Sequence, residues 1–176
     1  MLKVRSGDLD KMALLFRRHH RPLFGFLFNM TRQKEASEDM LQNVFYRMLR
    51  SRHTFTGDGD FKTWMYHIAR NVIKDHVKKS GRDFGYHDMN ELAERVGADV
   101  RTDEQIERKL EIKALQRAMG ALSRDSREVL ILSRFQELRH EEIARVLDIS
   151  VGAVKVRVHR AINQLKELYL RSEAEK

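Results

Sequence analysis

Between residues 40 and 49 the apolar side chains fall at Met40, Leu41, Val44, Phe45, Met48 and Leu49. That spacing lines one side of a helix with 3.6 residues per turn, whereas a strand would scatter the same residues over both faces. The stripe is broad enough to be a buried face, and Asp39, Gln42, Asn43, Tyr46, Arg47 and Arg50 fall opposite it. On its own, such a polar face needs no partner but solvent. The same period recurs on either side. Met12, Leu15, Phe16, Leu23, Phe26 and Leu27 predict a helix from about Leu9 to Met30, which Pro22 is expected to kink or restart. Phe61, Trp64, Met65, Ile68, Ala69 and Val72 predict another, opened by Asp60 as N-cap after the loop "SRHTFTGDGD". With 34% charged residues and a single proline, the chain is expected to be all-α.

Charge divides the chain. From Lys62 to Arg82 the bases Lys62, Arg70, Lys74, Lys78, Lys79 and Arg82 face only Asp75, and Phe61, Trp64 and Tyr66 stand among them. The sign then reverses: Asp83, Asp88, Glu91, Glu94, Asp99, Asp103, Glu104 and Glu107 outnumber Arg95 and Arg101. With Gly85, Gly97 and weak periodicity, residues 83–107 read as a flexible acidic linker, with a short helix around Met89–Val96. Two small helical domains are therefore expected, at 1–82 and 108–176, a division that 176 residues allow.

The formal net charge of +8 favours a polyanionic partner: nucleic acid, an anionic membrane surface or an acidic protein. The membrane reading fails on pattern, because the basic helices keep their apolar faces for internal cores. The absence of cysteine excludes disulfides, cysteine zinc fingers and iron–sulfur sites. No run approaches the ~20 apolar residues that span a bilayer, so no membrane insertion is expected. The N-terminal "MLKVRSGDLDKMALLFRRHH" lacks a secretory signal, which makes the cytoplasm the expected location.

In the second half, Ile106, Leu110, Leu115, Met119 and Leu122 predict an amphipathic helix, and Asp125 with Glu128 has capping-box spacing ahead of Val129. The most telling stretch is "EEIARVLDISVGAVKVRVHRAINQL". Two short apolar-periodic runs are joined by three residues. Ile143, Ala144 and Leu147 of the first face Val154, Val158, Ala161 and Leu165 of the second, with Ala144 small at the crossing point. Asp148 sits where the turn needs a left-handed residue, a conformation Asp tolerates, and Ser150 where an N-cap belongs. This is the pattern of a helix-turn-helix whose second helix presents Val151, Gly152, Lys155, Val156 and His159, with Arg157 and Arg160 at phosphate reach. A three-helix bundle with a basic surface helix would fit the same periodicity without nucleic acid.

Other candidate sites carry little. "HEEIA" at His140 has alanine where a zinc protease needs its second histidine. His19 with His20, and His67 with His76, lack the paired spacing of metal ligands, so no metal site is expected. "GDG" at Gly57–Gly59 is a turn signal. No nucleophile–base constellation points to an enzyme.

Three stretches, in order, resemble one family. "LSRDSREVLILSRFQELRHEEIARVLDISVGAVKVRVHRAINQLKEL" closely resembles the promoter-reading C-terminal domain of bacterial RNA polymerase sigma factors. "ASEDMLQNVFYRML" resembles their core-polymerase-binding helix. "FKTWMYHIARNVIKDHVKK" resembles the helix that melts and reads the −10 element, the hexamer nearest the start site. Two such domains joined by a short linker match the extracytoplasmic-function (ECF) subgroup of the sigma-70 family. Asp148 departs from the usual turn glycine, and Val156 stands where many members have serine or threonine.

The resemblance implies a dissociable polymerase subunit that is not an enzyme and needs no cofactor. Asp39, Gln42, Asn43 and Arg47 would dock on the clamp coiled coil of the largest subunit of core RNA polymerase, within a contact to its beta and beta-prime subunits. Lys62, Tyr66, Arg70, Asn71 and Lys74, on the exposed side of their helix, would hold the −10 element as a single strand, and the loop Phe55 to Asp60 would shape a pocket for a flipped base. Trp64, four residues before Ile68, is expected in the core. Ser150, Val151, Lys155, Arg157, His159 and Arg160 would meet the −35 element as duplex. An anti-sigma factor, often membrane-bound in this family, is the further partner implied, and it would hold the protein at the inner membrane face. The other reading is a stand-alone DNA-binding regulator that uses the same helix pair.

Overall fold

The computed structural model describes residues 1–80 and 103–174, and all regular structure among them is helical. The first half holds α1 (Leu2–Arg5), α2 (Lys11–Thr31), α3 (Lys34–Arg50) and, after a 3-10 turn at Arg52–Thr54, α4 (Phe61–Ser80). The second holds α5 (Asp103–Ala121), α6 (Arg124–Leu130), a π-helical turn at Ile131–Phe135, α7 (His140–Leu147) and α8 (Val151–Ala174). The expected linker, 83–107, lies outside the described residues as far as 102, as does the short helix expected at 89–96; residues 103–107 already belong to α5. No helix among the described residues is long and apolar enough to cross a membrane.

Pro22 does not restart the helix: α2 runs unbroken from Lys11 to Thr31 with the proline inside it. Proline inside a helix costs about 3 kcal/mol. Past it, Leu23, Phe26, Leu27 and Met30 are all buried, and each large apolar side chain contributes about 1.5–3 kcal/mol when buried. Burial wins. These side chains pack on the stripe of α3 (Met40, Val44, Phe45, Met48) and on Met65, Ala69, Val72 and Ile73 of α4. Asp60 caps α4 as expected, its Oδ1 accepting the Lys62 N–H at 2.6 Å.

The second half departs from its pattern in two places. Along α5 Ala114, Ala118 and Met119 are buried, as is Leu122 just past its end, while Leu110 and Leu115 are exposed. The small alanines let α5 lie close on α8, which turns the leucines outward. The start of α6 also differs. Ser123 is its N-cap, accepting the Ser126 N–H at 3.3 Å, so Asp125 lies inside the first turn and no capping box forms with Glu128. Glu128 points inward instead.

The helix ends are closed by Arg127, a buried arginine. Its guanidinium donates to the carbonyls of Met119 (3.1 Å), Gly120 (2.7 Å) and Leu122 (3.1 Å) at the end of α5, and to that of Met30 (3.3 Å) near the end of α2. The last carbonyls of a helix have no partner within it, and one side chain here serves two helices. The halves share a buried seam in which α4 packs on α7, and α2 on α6 and the π-turn.

Buried His19 lies against the ring of Phe61, with centroids 5.0 Å apart. Burial lowers its pKa below the ordinary 6.5, the charges of Arg18 and Lys62 lower it further, and Asp60 opposes them. The unfolded chain therefore takes up this proton more readily than the folded one. Stability is unaffected above the ordinary value and is lost as pH falls through and below it. His19→Gln is expected to flatten that loss, so its urea midpoint should fall less than the wild type's between pH 7.5 and 5.5. Equal falls would remove His19 as the cause.

Candidate nucleic-acid interface

The helix pair has the geometry its sequence predicts. Asp148 takes the left-handed conformation (φ 57°, ψ 52°), the chain turns, and the Ile149 N–H closes on the Ala144 carbonyl at 3.1 Å. Ser150 caps α8, its Oγ accepting the Ala153 N–H at 3.1 Å. Glu142 reaches back to the Arg139 N–H at 2.6 Å and fixes the start of α7. Ile143, Ala144, Val146 and Leu147 bury against Val154, Val158 and Ala161. That packing orients the rest of α8.

Gly152, Lys155, Val156, His159 and Arg160 are exposed on one face, and Val151 is half-buried at its edge. His159 Nε2 lies 3.1 Å from Asn163 Nδ2 one turn on. Two predicted members are otherwise engaged. The Ser150 hydroxyl is taken by the cap. Half-buried Arg157 turns back to Asp125 of α6 at 3.7 Å, a part-exposed pair that contributes no more than about 1 kcal/mol and is readily exchanged.

The α4 set divides more sharply. Lys62 and Lys74 are exposed, Asn71 is half-buried, and exposed His67 and Lys78 share their side of the helix. Tyr66 and Arg70 do not lie on an exposed side. Tyr66 is 2% exposed, meets Phe26 edge-on, and donates its hydroxyl to Gln136 Oε1 at 2.5 Å. Burial pushes its phenol well above the ordinary range. Arg70 donates to the buried Glu128 carboxylate at 3.0 Å. The cause is the second half of the chain, which lies over this strip of α4.

Beside the strip is a cleft of about 220 Å³ lined by Phe55, Asp60, Thr63, Trp64 and His67, with Arg145 of α7 at its wall. The loop after α3 thus does form a pocket. Thr63 Oγ1 is buried there without a hydrogen-bond partner. Trp64 is half-buried against the core, its Nε1–H on Thr54 Oγ1 at 3.3 Å. Burial works to raise the Asp60 carboxyl. The Lys62 N–H, a hydrogen bond with Glu142 and the charges of Lys62 and Arg139 outweigh it and hold the group below its ordinary value.

On the outer side of α3, Asp39 and Gln42 are exposed. Asn43 and Arg47 are half-buried and joined at 3.1 Å, and Arg47 reaches Asp75 of α4 at 2.7 Å. Tyr46 stands in the same row, 60% exposed. Its place opposite the apolar stripe marked it, although it was not among the predicted contact residues.

Comparison with known proteins finds two family matches in the chain. The family model described as Sigma-70 region 2 matches residues 15–83, and that for Sigma-70 region 4 matches residues 112–165. Together they define a two-module transcription initiation factor. The RNA polymerase sigma factor YlaC of Bacillus subtilis (strain 168) is 30% identical over 170 residues, covering 94% of this chain and 96% of the relative. The ECF RNA polymerase sigma factor SigX of the same organism is 33% identical over 162 residues, covering 90% and 83%. CarQ of Myxococcus xanthus, an RNA polymerase sigma factor, is 32% identical over 168 residues, covering 96% and 94%. The chain belongs to the sigma-70 family of RNA polymerase sigma factors, in its ECF group.

Solved structures share the fold. The sigma factor RpoE in complex with the anti-sigma factor NepR from Bartonella quintana has a TM-score of 0.69 at 24% identity, covering 89% of this chain and 94% of that one. CnrH in complex with the cytosolic domain of CnrY has 0.71 at 23%, covering 95% and 92%. As a sigma factor the protein directs promoter-specific transcription initiation with core RNA polymerase and has no catalytic role of its own.

Proposed function

We propose that α8 reads the −35 element as duplex, while α4 and the loop before it capture the −10 element as a single strand. Lys155 and His159 would reach base edges in the major groove, and Arg157 and Arg160 phosphates. The observation that carries this is the exposed row Lys155, Val156, His159 and Arg160 on a helix fixed by the Asp148 turn and the Ser150 cap. Opening DNA costs a few kcal/mol for each flipped base. Without ATP chemistry, that cost is offset only by binding the strand. Lys62, Arg70 and Lys74 suit phosphates, Tyr66 and Asn71 suit bases, and stacking contributes about 1–3 kcal/mol per base. The cleft around Thr63 is the place for a flipped base.

Asp39, Gln42, Asn43 and Arg47 form the contact to the beta-prime clamp of core polymerase, with Tyr46 beside them. The working units are residues 1–82 and 108–176, with 83–107 as the tether. The solved structures of RpoE and CnrH each hold a partner, NepR and the cytosolic domain of CnrY. By analogy this chain is held inactive by an anti-sigma factor. It works in the cytoplasm, and at the inner membrane face when that partner is membrane-bound.

Run-off transcription from a genomic fragment library tests the reading. The protein added to purified core enzyme is expected to start transcription at a discrete set of promoters that core alone ignores. Activity only on polymerase that already carries another sigma factor would mark a stand-alone regulator instead.

A further inference from the structure

We propose that α1 is a strap that sets the shape of the base cleft, with Arg5 as a positioning residue for base choice in the −10 element. Arg5 itself touches no DNA; it holds the backbone of the loop that walls the cleft. This role rests on the assignment of that cleft to a flipped base made above.

Arg5 Nη1 donates to the carbonyl of Phe55 at 2.9 Å and to that of Thr56 at 3.1 Å, fifty and fifty-one positions away in the chain. Leu2 lies against the next residue, where a Cβ on Gly57 would meet Leu2 Cδ2 at 2.9 Å. Gly57 has φ 92°, a conformation that glycine adopts at no steric cost, so the loop turns where the strap meets it. Val4, fully buried, anchors α1, which lies on α2 and on the 3-10 turn before the loop. Three consecutive loop residues are thus held by one short helix from the start of the chain.

The held residues are also the wall of the cleft. Phe55 and Thr56 line it together with Thr63, Trp64 and His67 of α4. The Phe55 ring packs inward on Phe61 and Trp64, with centroids 6.1 and 5.4 Å away, while its carbonyl meets Arg5. Inside the loop the Asp58 N–H reaches Thr56 Oγ1 at 3.4 Å, which is long for a hydrogen bond. The far end is tied to α4 by the Asp60 cap, and the near end by α1. Discrimination needs such ties, because misplacing a positioned group by ~1 Å costs up to about a hundredfold. Lys62 and Lys74 hold phosphates from α4 without the loop, so losing the strap should fall on base choice.

The test uses the full chain, alone and joined to core enzyme on a promoter recovered by the run-off selection. The variants are Arg5→Ala, Arg5→Lys, the charge-matched control Lys3→Ala, and Thr63→Val in the cleft itself. Trp64, the single tryptophan, reports the loop, since it packs on Phe55 and donates to Thr54. In the chain alone, Arg5→Ala is expected to raise acrylamide quenching of Trp64 roughly twofold. With core enzyme, templates substituted at each −10 position in turn should show a roughly tenfold loss of discrimination at one position, the others changing less than about twofold. Arg5→Lys should recover most of both changes, because one nitrogen serves both carbonyls. Lys3→Ala should match the wild type, and Thr63→Val should lose discrimination at the position that Arg5→Ala affects.

Unchanged quenching in Arg5→Ala overturns the strap. An equal loss at every −10 position also overturns it, by reducing Arg5 to a support of the fold. If Thr63→Val shifts base choice and Arg5→Ala does not, the strap fails and the cleft keeps its assignment. If neither shifts it, the cleft is not a base site and the strap falls with that reading. Should Arg5→Ala fail to fold by circular dichroism, Leu2→Ala, at a residue 55% exposed, decides the matter on the same two readouts.

Discussion

Arg127→Met is expected to lower the stability of the protein by about 3–5 kcal/mol, close to what breaking a buried charged network costs. Methionine fills a similar space but donates nothing. Four carbonyls, those of Met30, Met119, Gly120 and Leu122, would lose this donor at the point where α2, α5 and α6 meet. Each donation comes from a charged group, and water does not readily replace it at a side chain only 6% exposed. The urea midpoint should fall steeply, and part of the helical signal should melt at denaturant concentrations that leave the wild type folded. Arg124→Met, three residues earlier and half-exposed, should change stability by no more than about 0.5 kcal/mol. If the two variants melt alike, Arg127 is not the cap described here.

The second large effect separates the two DNA-reading elements. Lys155→Ala should relax specificity at one position of the −35 element, with a discrimination loss of about 1–3 kcal/mol, tenfold to more than a hundredfold. Opening at a consensus site should survive it. Asn71→Ala should do the reverse, leaving duplex binding largely intact and impairing strand separation, which permanganate reactivity of unpaired thymines reports. The contrast follows from position. Lys155 projects, exposed, from a capped helix, whereas Asn71 sits beside Lys74 and His67 on the open side of α4. Normal opening by Asn71→Ala would remove α4 from the melting role.

What was legible in the sequence was what neighbouring residues decide among themselves. The stripe of α3, the Asp60 cap, the left-handed Asp148 and the Ser150 cap each depend on residues a few positions apart, and each is found in place. The failures share a physical cause. Periodicity gives the angle at which Tyr66 and Arg70 leave α4; it says nothing of Gln136 and Glu128, which are seventy and fifty-eight positions away in the chain. Arg127 carries no signal within its own helix, because the carbonyls it serves belong to neighbouring elements. Ser123 displaced Asp125 as cap because it stands earlier and its hydroxyl also accepts an N–H. Pro22 is carried by burial that single-helix rules do not count.

The contrast between α3 and α4 follows from the same point. The outer face of α3 kept its expected exposure at Asp39 and Gln42, with Arg47 reaching Asp75 of α4, whereas Tyr66 and Arg70 of α4 did not.

The most direct measurement is the affinity of the purified chain for bacterial core RNA polymerase, titrated by fluorescence anisotropy with a label on an engineered surface cysteine, a choice the cysteine-free sequence makes clean. Saturable binding that weakens at least about tenfold in the double variant Asp39→Ala/Gln42→Ala is the predicted result. Absence of binding to core enzyme, in a sample whose C-terminal half still holds duplex DNA, would contradict the account.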